Sequence, residues 1–393
     1  MKRLSLLSAL AALAAVCLVS PRACSDEAPR FEPERTHLPT PTVKVEMEFV
    51  DRLPLVEVKL NGQGPYLFIL DTGASMVALN RPVSRELKLE AVKFAAVGDN
   101  SGAGGRTAKV VELRSLELGR ARFAGVEAVV VDLGFVVAGH RTIDGLLGFG
   151  LFADCLLTID YPAKTVLLEH GELPSDKGRA TLRYTKARGF PRLTLRLADH
   201  KVRLTVDSGA NGCLTLPRSL RKKLPFHAPP VAMGRVKRAT AEHAAQMARV
   251  AGSLTIGRNV VADPLVRLMG RSGVLGNQIL RHFAVTFDQK NARVRFVRID
   301  DKPITIPPVR SRGFFTEERN GVPMVVEVIA DTEAARLGIR VRDRIIRVNE
   351  RPVAELGRDE WTALWNSDQP LRLTLKRRKE TLEVTVPMVE LVP

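Results

Sequence analysis

Aromatic side chains make up only 5% of the 393 residues, with two Trp and three Tyr. That scarcity excludes a base-stacking surface for single-stranded nucleic acid. Cysteine is scarcer still, at four residues. Cys17 and Cys24 lie near the N-terminus, while Cys155 and Cys213 stand alone in apolar surroundings. Two such cysteines make neither a disulfide framework nor a zinc site, so buried free thiols are expected. The seven histidines are scattered. The chain lacks H-E-x-x-H, a phosphate-binding P-loop and a G-x-S-x-G elbow. It also lacks helix-turn-helix, zinc-finger and RNA-binding signatures. No metal, no cofactor and no nucleic-acid partner are therefore expected. Beyond residues 4–19, no apolar run approaches the roughly 20 residues of a membrane-spanning helix.

Charge of one sign is in surplus. Sixty Lys and Arg against 43 Asp and Glu give a net charge of +17. Such a chain is drawn to anionic partners, here an anionic envelope surface. Its densest basic stretch, residues 218–238, holds seven cations and no acid, and reads as a solvated face. At the N-terminus, Lys2 and Arg3 precede the apolar run, which Ser20-Pro21-Arg22-Ala23 ends. Residues 1–23 are expected to be a signal peptide, and 24–42, rich in Pro and charge, a flexible linker. The location expected is periplasmic or secreted, with membrane anchoring through Cys17 or Cys24 left open.

One short pattern occurs twice. Leu67-Phe68-Ile69-Leu70-Asp71-Thr72-Gly73-Ala74-Ser75 is matched, 136 residues on, by Leu204-Thr205-Val206-Asp207-Ser208-Gly209-Ala210-Asn211. Each copy leads to a further shared element. Gly145-Leu146-Leu147-Gly148 begins 74 residues after Asp71, and Gly273-Val274-Leu275-Gly276 begins 66 after Asp207. A strand, a turn and another strand follow in both. Internal duplication is the economical account. Short alternating runs bounded by turn residues predict a mainly β body, with helical windows only at 82–87 and 217–224. Two matched carboxylates from two similar halves suit an enzyme that activates water with a shared proton. Peptide-bond hydrolysis is thus the first expectation. Asp-(Ser/Thr)-Gly also caps ordinary turns, and that alternative stands at this level.

Over residues 43–300 the chain resembles the aspartic proteases. Asp71-Thr72-Gly73 and Asp207-Ser208-Gly209 match that family's catalytic triplets, and both Gly-apolar-apolar-Gly elements match the segment packed beneath them. Ala74 and Ala210 lean the resemblance toward the retropepsin-like branch. It implies a bilobal double β-barrel, with lobes at 43–175 and 176–300, and Asp71 and Asp207 as catalytic dyad. Thr72, Gly73, Ser208 and Gly209 become the supporting loops, the glycines allowing a tight turn. A flap is implied at 99–105, where glycines cluster. Two lobes in one chain point to a monomer.

After a linker at 301–309, residues 310–390 resemble a small α+β PDZ domain. Arg312-Gly313-Phe314-Phe315 matches its carboxylate-binding loop, so Gly313, Phe314 and Phe315 are the implied peptide-binding residues. Arg342 stands before Asp343 where that family has Gly. Together the resemblances imply an aspartic endopeptidase acting on extended polypeptides, with a PDZ module that takes a substrate or a C-terminal peptide. A catalytically inactive peptide-binding envelope protein and a PDZ-based interaction scaffold are the alternatives.

Overall fold

Apolar and polar side chains alternate along most strands, and burial follows that alternation. Thr42–Glu46 is exposed and buried by turns, and Phe190–Leu197 and Arg293–Val297 show the same period. The short strands Val77–Asn80, Gly145–Gly148 and Leu265–Leu268 are buried on both faces, as their unbroken apolar runs require. The computed structural model describes residues 16–18, 28–99, 106–134, 136–138, 141–174, 180–187, 189–237, 242–319 and 321–393.

Two ten-stranded sheets repeat one arrangement. In the first half, Gln63–Asp71 lies parallel to Gly145–Gly148, which is antiparallel to Val77–Asn80. In the second, His200–Val206 lies parallel to Gly273–Leu275, which is antiparallel to Leu214–Leu216. The duplication read from the sequence is therefore a duplication of strand order. The halves differ at one closure. Arg106–Leu118 reaches back to pair with Leu53–Leu60, whereas in the second half a separate strand, Ser253–Ile256, pairs with Phe190–Leu197.

A six-stranded sheet joins the halves, with Leu156–Asp160 beside Ala284–Asp288 at its centre. There Thr158 faces Thr286, their hydroxyls 2.8 Å apart. One apolar core runs through both halves. Cys155 and Cys213 are free and buried within it, and burial pushes both thiols up to about 12.

Neither expected linker is loose. From Ala28 onward the first is docked: Arg30 donates to Glu127, and Arg35–His37 pairs with Ala121–Val131. In the second, Ile304 bridges Val261, and Ile304 and Ile306 are buried. Proline and charge marked these stretches as linkers, but their apolar side chains find partners. Of the expected signal peptide only Val16–Leu18 is described, paired with Val97–Asp99. The rest lies outside the described residues. Window 82–87 is the helix Arg81–Glu86, while 217–224 forms the 3₁₀ turn Arg218–Lys222. No helix among the described residues is long and apolar enough to cross a membrane.

The C-terminal stretch forms a separate six-stranded sheet with Phe314–Arg319 at one edge and its own core. The strands Val309–Ser311 and Val389–Val392 pair and close the ends of this stretch together. Helix Arg358–Asn366 stacks Trp361 on Trp365, and Phe314 meets Trp365 edge-on. Arg342 has φ +78, a conformation in which glycine is more comfortable than arginine.

Candidate active site

Each aspartate sits at the end of an apolar strand, where parallel pairing with the Gly-apolar-apolar-Gly segment fixes its height. Asp71 is level with Gly148, and the Asp207 N–H donates to Leu275 O at 3.0 Å. The two loops then grip each other reciprocally. Thr72 Oγ1 donates to Val206 O (2.7 Å) and accepts from Ser208 N–H (3.0 Å). Ser208 Oγ donates to Leu70 O (2.6 Å) and accepts from Thr72 N–H (2.9 Å). Each hydroxyl thereby ties the residue before the opposite aspartate. Four buried hydrogen bonds hold the two loops in one register, each contributing roughly 1 kcal/mol.

Within each loop the glycine N–H donates to the aspartate Oδ1, at 2.9 Å in both. Neither Gly73 nor Gly209 has a positive φ, so a tight turn is not why glycine stands there. The reason is contact across the grip. A Cβ on Gly73 would overlap the Asp207 carboxyl, and one on Gly209 would overlap the Asp71 carboxyl, both well inside 3.0 Å. The two carboxyls therefore face each other's loops, at 0% and 1% exposure. Burial raises Asp71 to about 6, against the lowering influence of the Asp207 carboxyl and the N–H groups of Gly73, Ala74 and Gly209. A carboxyl pair so placed retains a proton well above the ordinary carboxylate range.

Three neighbours of the site escaped the sequence reading. Asn277 is fully buried, and its Nδ2 donates at 2.6 Å both to Ser208 O and to Arg52 O. Its Oδ1 accepts from the Tyr161 hydroxyl at 2.8 Å. Burial, with the two aspartates nearby, holds that phenol well above its usual range. Arg52 reaches across from the first half to donate to Asn211 O at 2.8 Å. The arrangement is pseudo-symmetric, because Gln289 follows Asp288 as Tyr161 follows Asp160. Gln289 donates to Phe149 O, and Phe149 follows Gly148 as Asn277 follows Gly276. The sequence signal was present only as a break in the repeat: Phe at one position after the second Gly, Asn at the other. Asn277→Ala is expected to strand three polar groups, at roughly 1–3 kcal/mol for each left unpaired. Thermal unfolding should show a large drop in stability. An unchanged melting temperature would remove Asn277 from this framework.

The other sequence-derived residues fall elsewhere. Gly313 has φ +81 and accepts from Ile329 N–H (2.8 Å). Phe314 points into the C-terminal core, whereas Phe315 packs into the core shared by the two halves. Arg312 is buried, donating to carbonyls of Leu364, Trp365, Ser367, Gln369 and Val386, with its guanidinium over the Trp365 ring. Its charge is spent on the fold. The expected flap tip lies outside the described residues except at Asp99, between the strands Ala91–Asp99 and Arg106–Leu118. No group of three or more His, Cys, Asp or Glu among the described residues is placed to hold a metal.

Residues 56–151 match a family model described as aspartyl protease. That span includes Asp71 and Gly145–Gly148 and ends before Asp207. Among solved structures, the chain is similar to a PDZ domain protein from Parabacteroides distasonis at 24% identity, covering 22% of this chain and 20% of that one, with a TM-score of 0.19. It thus spans a fifth of that protein. It is similar to the HtrA3 PDZ domain bound to a phage-derived ligand at 26% identity, over 18% of this chain and 67% of that one, TM-score 0.16. It is also similar to a retropepsin-like aspartic protease from Rickettsia conorii at 18% identity, over 35% of this chain and 92% of that one, TM-score 0.24. No curated protein matches the chain.

Proposed function

We propose that the chain is an aspartic endopeptidase of the retropepsin-like kind, with lobes at 43–175 and 176–300 and a PDZ domain at 310–390. The observation that carries this reading is the reciprocal grip of Thr72 and Ser208, which sets two buried carboxyls against each other's glycines. Asp71 and Asp207 are the catalytic dyad, and Thr72, Gly73, Ser208 and Gly209 hold them in position.

The pair shares one proton, and its titration belongs to both members. The ionised carboxylate accepts a proton from water as the water oxygen bonds to the scissile carbonyl carbon. The protonated carboxyl donates to the carbonyl oxygen, giving a neutral tetrahedral diol. Collapse re-forms the carbonyl and breaks the C–N bond. The carboxyl that took the water's proton gives it to the departing nitrogen, the ionised carboxylate takes the diol hydroxyl proton, and the dyad again holds one proton. Neither a covalent intermediate nor a cofactor takes part. The substrate is an extended polypeptide. The edge strand Phe314–Arg319 offers a place where a peptide adds as a further strand. The leader and the basic surface fit an exported protein working at an anionic envelope.

The test is hydrolysis of an unfolded polypeptide by the purified chain between about pH 3 and 8, with and without pepstatin. Turnover should be blocked by pepstatin. It should decline as pH rises through about 6, where the buried pair gives up its shared proton. Peptide binding without turnover across that range would overturn the enzymatic reading and leave a peptide-binding protein.

A further inference from the structure

The hairpin Phe190–Leu197 and His200–Val206 buries Leu193, Leu195, Leu197, Val202 and Leu204 on its inner face. Its outer face carries Arg192, Arg196, Lys201 and Arg203, with Thr194 opposite Arg203 and Arg196 opposite Lys201. Two neighbouring segments rise beside this face. The turn before Gly273–Leu275 brings Arg271, and the 3₁₀ turn Arg218–Lys222 brings Ser219. Between them lies a cavity of about 290 Å³. Arg192, Lys201, Arg203 and Arg271 line it, together with Ser219, and no Asp or Glu does.

Those four cations form no ion pair among the described residues. Several cations elsewhere have local acidic partners, as in Arg30 with Glu34, Lys93 with Glu127 and Arg377 with Asp343. Gly273 also lines the cavity and adds no side chain to it. We propose that this cavity is a binding site for a phosphate group. Guanidinium forks meet phosphate oxygens in pairs, and an anion of more than one charge relieves the repulsion among the four cations. The volume lies at the small end of ligand pockets, about 300–1,000 Å³, and suits a headgroup-sized anion. The site is separate from the dyad: Arg203 precedes Asp207 by four strand positions, roughly 13 Å.

The test is calorimetric titration of inorganic phosphate into the full chain at low ionic strength. A matched titration uses phosphatidylcholine vesicles with and without phosphatidic acid. Arg192→Ala/Arg203→Ala/Arg271→Ala removes three of the cavity's four positive charges, leaving Lys201. Lys59→Ala/Arg114→Ala/Arg120→Ala removes the same charge from exposed positions of the first half. Saturable phosphate binding is expected, weakened about tenfold or more in the first triple and unchanged in the second. Phosphatidic acid vesicles that bind only with an intact cavity identify a lipid headgroup as the source. Phosphate binding without vesicle binding identifies a free anion. Lack of saturable binding, or equal loss in both triples, would overturn the proposal, since the attraction would then be that of net charge alone.

Discussion

Asp71→Asn and Asp207→Asn are each expected to reduce turnover of an unfolded polypeptide by roughly 10²–10⁴-fold, the range of a lost general acid or base. The amide keeps the shape and retains an Oδ1 to accept the glycine N–H, so the grip should survive. What is lost is the proton the pair exchanges with water and carbonyl. The stability of Asp71→Asn should move the other way at neutral pH. Burial raises the folded-state value of Asp71 to about 6 from the ordinary 3.8. A group raised on folding contributes stability that is complete below its unfolded value and is lost as pH rises through the folded one. At pH 7 the wild-type chain has therefore lost that contribution and holds a buried charge. The neutral amide escapes this. Asp71→Asn should accordingly melt higher than wild type at pH 7, with the difference shrinking as the pH falls from about 6 to 3.8 and constant below that. Turnover measured beside thermal unfolding separates chemistry from folding. A variant that keeps turnover near the wild-type rate would remove that residue from the dyad.

Much of this arrangement is legible in the chain itself, because its cause is local. Apolar runs that end in Asp71 and Asp207 predict strands that deliver carboxyls. The matching Gly145–Gly148 and Gly273–Gly276 predict the segments that lie beside them. Asn277, Tyr161 and Arg52 escaped because their partners are set by the pairing of Leu156–Asp160 with Ala284–Asp288. No periodicity within either segment encodes that pairing. Composition misled at 24–42, where Pro and charge suggested a flexible linker, and 301–309, read as a linker, is likewise held. There the decisive contributions are single contacts, Arg30 to Glu127 and Ile304 in the core. Arg312 was read beside a ligand loop, yet five main-chain carbonyls claim its guanidinium. Which of several acceptors an arginine satisfies is decided by tertiary neighbours.

The glycines correct the chemistry most sharply, and they lead to the second large expected effect. If Gly73 and Gly209 served backbone freedom, alanine would be tolerated, since neither has a φ that disfavours a side chain. Because each faces the opposite carboxyl instead, one methyl group in Gly73→Ala or Gly209→Ala must push the aspartates apart or tilt a loop. The interior around them is close-packed, and relief by overpacking costs about 1–3 kcal/mol. Catalysis should suffer more than folding, because a displacement of about 1 Å at the reacting groups is worth roughly 10²-fold in rate. The signature is a fall in kcat larger than any change in KM. Gly73→Ala acts on Asp207 and Gly209→Ala on Asp71, so the two should behave alike if the halves contribute equally. Wild-type kcat in either variant would show that the carboxyls are not held at the distance this packing implies.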